Sequence, residues 1–142
     1  MIGAIRDRLK ACVPMAADVV LAEDVARLGE GPALKSGTIL VMPPRERAEP
    51  NEYETGGHRQ LVAVMIDVGF LLRRHGDALG GARALGLEEM KDAIEQALAG
   101  WSPTPDDFEM NLVGGEGEPL EKGVSLYVQT WQTKRFLTGA TP

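Results

Sequence analysis

Few residues in this chain are of types that do chemistry, and their spacing does not suit it. His58 and His75 lie at opposite ends of one long apolar run, with no second ligand at metal-binding spacing, so no shared metal site is expected. Cys12 falls within a helical pattern and reads as a small core residue; a cysteine nucleophile would need a base and an orienting group, and none is identifiable. Asp106 and Asp107, between Pro105 and Phe108, read as a turn leading into a strand rather than an acid–base pair. The stretch GGEGEP from Gly114 has glycines but opens no helix, and it carries acids where a phosphate loop needs backbone donors and a lysine. Asp67, inside an apolar strand pattern, is expected to be exposed or paired, with Arg135 as one partner or in a subunit contact. The residues predict no catalysis and no cofactor.

The elements that hold these residues are organised around Arg59 to Arg73, RQLVAVMIDVGFLLR. A period of two puts Val62, Val64, Ile66, Val68, Phe70 and Leu72 on one face, all apolar and rich in β-branched residues. The other face is mixed. This predicts a long central strand with one face on a core, bent or bulged near Gly69.

Before it, Ile2, Ile5, Leu9 and Cys12 or Val13 recur at helical spacing up to Pro14. VVLAEDVARLGEG then suggests a short helix from Ala22 to Leu28, and Thr38 to Met42 a strand ended by Pro43–Pro44. Residues 43–57, PPRERAEPNEYETGG, read as a long polar hairpin arm or mobile loop, either merely solvated or a contact arm that orders on assembly.

After the central strand, Leu87, Met90, Ile94, Ala97 and Leu98 form the stripe of a helix ended by Gly100, with Trp101 plugging the end of the core. Phe108 to Val113 reads as a short strand, GGEGEPLEKG as a glycine-rich connection, and Val124 to Leu137 as a last long strand. Residues 138–142 read as a frayed tail. The sum is one α+β domain over 1–142: a sheet of about four mainly antiparallel strands with two or three helices packed on one face.

Composition narrows the function classes. The chain has 142 residues and a formal net charge of -6, which gives no surface-wide attraction to nucleic acid. Its single cysteine rules out an internal disulfide framework, and no apolar run reaches the roughly 20 residues needed to span a bilayer. The charged first helix is unlike a signal peptide, so synthesis in a reducing cytosol is expected. On the last strand, Tyr127, Gln129, Trp131, Thr133 and Arg135 share a mixed aromatic, polar and cationic face, either an interface or a surface covered by helices.

In the order and texture of these segments, the chain resembles the tail terminators of long-tailed bacteriophages, the minor tail protein U-like group. The resemblance rests on an N-terminal helix, the EDVARL segment, a proline-ended strand, the LVAVMIDVGF strand, ALAGWSP from Ala97 to Pro103, and the closing VQTWQTKRFLT strand. It implies a structural subunit made in the bacterial cytoplasm that forms a homohexameric ring on the head-proximal end of the tail tube. Such a ring stops tube polymerisation and offers a surface to the head-neck connector, with DNA passing through its lumen only as cargo. It implies no cofactor and no membrane. Candidate contact residues are Arg45, Arg47 and Tyr53 on the arm, Asp67 on the central strand, and Tyr127, Gln129, Trp131 and Arg135 on the last strand. Rival readings are another neck or head–tail joining protein, a small ligand-binding domain, and a generic oligomerisation module.

Overall fold

A computed structural model describes residues 1–23, 34–73, 81–121 and 123–139. Among these residues two helices, α1 (Ile2–Cys12) and α2 (Gly81–Leu98), accompany six strands: β1 (Asp18–Leu21), β2 (Thr38–Val41), β3 (Arg45–Ala48), β4 (Gln60–Arg73), β5 (Asn111–Glu121) and β6 (Val124–Leu137). They form one sheet of order β1-β2-β4-β6-β5, with β3 beside β4. Every pairing is antiparallel except β1 with β2, so the sheet is six-stranded and mixed rather than four-stranded.

β4 is the central strand, with the alternation its sequence predicts. Val62, Val64, Ile66, Val68 and Phe70 are buried in the core, where they meet Ile5 and Leu9 of α1 and Met90, Ile94 and Leu98 of α2. β-Branched side chains fill this pleated face while the helices shield it, and both helices contribute to the same cluster. Arg8 of α1 ties the layer together: its Nε donates to the Ala97 carbonyl at 2.9 Å, and its guanidinium lies 5.4 Å from the centre of the Trp101 ring. α2 is closed two residues past its end by Gly100, whose φ of 77° suits a residue without Cβ, and Trp101 N–H returns to the Leu98 carbonyl.

The structure corrects several sequence expectations. Pairing of β4 with β6 runs unbroken from Gln60↔Leu137 to Arg73↔Val124, without a bulge at Gly69. Gly69 is there for space instead. A Cβ would meet Leu126 at 3.2 Å and Met42 at 3.4 Å. The segment read as a glycine-rich connection belongs to β5, which continues with two register shifts as far as Glu121. Glycine lowers strand propensity, but the ladder to β6 supplies what propensity lacks.

At the N-terminal end, Asp18–Leu21 is a strand ahead of the expected helix, in a stretch to which the sequence assigned no element. The helix expected over Ala22 to Leu28 lies outside the described residues from 24 onward, and so does His75. Cys12 is exposed, and Val13 takes the core position at the end of α1. At 104–107, Thr104 Oγ1 donates to Asp107 Oδ2 at 2.7 Å and Asp107 N–H to the Thr104 carbonyl, a structural turn.

Candidate assembly surface

The sheet has two unlike faces. The helices cover one; on the other, the described structure places no helix over Met65 and Asp67 of β4 or Leu126, Val128 and Thr130 of β6. These side chains, with Met42, Arg45, Val113 and Glu116, line an open concavity of about 570 Å³. Its walls are mostly apolar and its centre is charged. Arg45 Nη1 donates to Asp67 Oδ2 at 2.6 Å, and Thr130 Oγ1 donates to Asp67 Oδ1 at 2.7 Å. Burial pushes the Asp67 carboxyl up. The hydrogen bonds from Arg45 and Thr130, with the charge of Arg45, outweigh that and hold it below the ordinary carboxylate value. The same partnership raises Arg45. The pair anchors β3 to β4 across their registered positions, Arg45↔Met65 and Arg47↔Ala63.

Arg135, the partner anticipated for Asp67, lies on the other face and pairs with Glu46 at 2.8 Å. Register explains this. Arg135 is opposite Val62 and Asp67 opposite Thr130, so the two side chains project from opposite sides of the sheet.

Residues 49–59 extend the β3–β4 hairpin into an exposed arm. Glu49 N–H donates to the Leu61 carbonyl and Glu52 N–H to the Arg59 carbonyl, each at 2.8 Å. Asn51 fixes the turn from within. Its Oδ1 accepts from Arg59 N–H at 2.8 Å, and its Nδ2 donates to the Tyr53 carbonyl at 2.9 Å. Gly57, at φ 91°, lies against the Tyr53 ring. At the arm's base, Arg59 lies 3.9 Å over the Phe136 ring, and Phe108 packs edge-on against Phe136. The arm is thus built by its own polar contacts while presenting Tyr53 to solvent, with Arg47 exposed on β3 beside its base.

The last-strand candidates divide differently. Trp131 and Gln129 are fully buried, directly opposite Ile66 and Val68, so their face is the helix-covered one. Of the two readings of that face, the structure shows core packing: the Trp131 ring joins the cluster of Ile66 and Leu98. Tyr127 is half-buried at the margin, 5.6 Å from Phe70, with the Lys91 ammonium 5.2 Å above its ring. It also accounts for a glycine. A Cβ on Gly115 would lie 2.5 Å from the Tyr127 hydroxyl, so the ring crosses β5 over a backbone without side chains.

Sequence reasoning missed the apolar part of the uncovered face, namely Met42, Met65, Leu126 and Val128, and the exposed Leu112 and Val113 of β5. The period-two alternation of the last strand holds the signal, since Leu126 and Val128 are out of phase with Trp131.

Among the described residues, no group of three or more His, Cys, Asp or Glu side chains could hold a metal ion, and no helix is long and apolar enough to cross a membrane. The family model described as phage tail terminator protein matches residues 2–141. The chain belongs to the phage tail terminator family. It is accordingly a structural protein of a phage-type virion tail. No curated protein matches it. Among solved structures, a chain in the virion of a native gene transfer agent particle shares its fold at a TM-score of 0.57 and 18% identity, over 98% of this terminator and 95% of that chain.

Proposed function

We propose that this terminator forms a homohexameric ring on the head-proximal end of the tail tube, stops tube polymerisation and presents the surface to which the head-neck connector attaches. The family match over residues 2–141 carries this reading. Its physical support is a small subunit with a projecting arm and, among the described residues, sheet edges that no further strand pairs and one sheet face that no helix covers, which are features that invite neighbours. Arg45, Arg47, Tyr53 and Asp67 lie on the arm and the uncovered face and are the proposed contact residues, with Tyr127 and Arg135 at the margin. The net charge of -6 per subunit, repeated around a ring, suits a lumen through which DNA passes without adhering.

The test uses tail tubes purified from a mutant lacking this gene. Tagged protein added back is expected to label one end of each tube and to halt further elongation. Labelling along the shaft, or continued elongation with the protein bound, would overturn the proposal.

A further inference from the structure

The corner between α1 and β1 is apolar yet exposed. Residues 11–17, ACVPMAA, carry no charge, and five of the seven face solvent, Met15 with 49% of its surface. Val13 and Ala16 turn inward and pack in or against the core; the others take no part in it. A contiguous apolar patch that the fold does not use marks a contact with a partner. Lys10 stands at its rim, where it lines a shallow hollow with Pro14, Ala17 and Val19. It has no ion-pair partner among the described residues.

The matching surface is the concavity of the open face. Met42, Met65, Leu126 and Val128 give it apolar walls, and Glu116 stands on its β5 side, exposed and without an ion-pair partner among the described residues. Corner and concavity belong to opposite margins, since β1 ends the strand order on one side and β5 on the other. They are also level. Ala17 N–H donates to the Gly37 carbonyl and Gly37 N–H to the Leu71 carbonyl, and Leu71 is opposite Leu126. Val19, in the hollow with Lys10, aligns through Ile39, Phe70 and Tyr127 with Gly117, the residue after Glu116. Rotation about an axis along the strands keeps these heights, so a neighbour set beside β5 brings its corner level with the concavity. Unlike patches at opposite margins make the contact heterologous, the kind that closes into a ring. Methionine on both sides adapts its shape to the fit, and opposite charges at the rim fix which patch meets which.

We infer that the α1–β1 corner of one copy seats on the open-face concavity of the next, Met15 against Leu126 and Val128 and Lys10 against Glu116. This inference rests on the ring reading and names its subunit contact.

The test complements a deletion of the gene with variants and reads tail length by electron microscopy beside the melting of each purified protein. Met15→Asp and Glu116→Lys are each expected to leave melting unchanged and to abolish termination, giving overlong tails. Adding Lys10→Glu to Glu116→Lys is expected to restore normal tails. In a Cys12→Ser background, Met15→Cys with Leu126→Cys should give a ladder of interchain disulfides on oxidised tails, which neither substitution gives alone. Disulfides from Leu126→Cys to a different tail protein, in place of that ladder, would overturn the contact. Normal tails from both Met15→Asp and Glu116→Lys would overturn it too, while leaving the ring reading standing. Normal tails from the deletion itself would remove the ring reading, and the contact with it.

Discussion

The two faces of β4 differ more than any two elements of the molecule, although they alternate residue by residue along one strand. On the helix side, Val64, Ile66, Val68 and Phe70 are entirely buried in the apolar cluster with the Trp131 ring, and the buried Thr133 and Gln129 stand opposite Val64 and Val68. On the open side, Asp67 interrupts Met65 and Gly69 and is held by Arg45 and Thr130. The first face is specified by volume, since a close-packed interior registers the loss of a methylene. The second is specified by a few polar contacts that fix β3 in place and leave apolar surface bare. Stability resides on one side of the sheet, and the capacity to meet a partner on the other side and along its edges.

That division predicts a ranking of substitutions. Trp131→Ala empties the centre of the covered face and should cost about 3–5 kcal/mol in urea unfolding. A cost within experimental error would return Trp131 to the surface. Gly115→Ala places a methyl group against the packed Tyr127 ring and should cost about 1–3 kcal/mol, with the Tyr127 environment visibly altered by NMR.

On the open face, Asp67→Asn should cost less than about 1 kcal/mol at neutral pH, because the Arg45 side chain is 57% exposed and water screens the pair. Its signature is pH dependence. The folded carboxyl titrates below its unfolded value of about 3.9, so its contribution is present above that value and fades as pH falls through the lower folded one. Stability curves of wild type and Asp67→Asn should therefore converge in strong acid. A gap that persists there would mean that Asp67 acts through packing and not through charge.

How much was legible in the sequence follows the same division. The covered face of β4 was readable because its alternation is clean over Val62 to Phe70, and α2 was readable from the stripe of Met90, Ile94 and Leu98. Val124 to Leu137 is legible with its observed bounds, but which of its faces meets the helices is not. Trp131, Gln129 and Thr133 look like a surface when read alone. Only the register with Ile66 shows that they share the core. Glycines hid β5, since a strand whose side chains are absent to admit Tyr127 carries no alternation to read. The partner of Asp67 was missed because Arg45 reaches it through a strand whose sequence, RERA, shows no apolar face. Contacts made by register and by long cationic side chains are not written in any local period.

The most direct test of the account is the distribution of tail lengths after the gene is deleted from its phage or prophage, measured by electron microscopy. The account predicts overlong tubes without heads. Tubes of normal length beside unattached heads would contradict it and assign the protein to head joining.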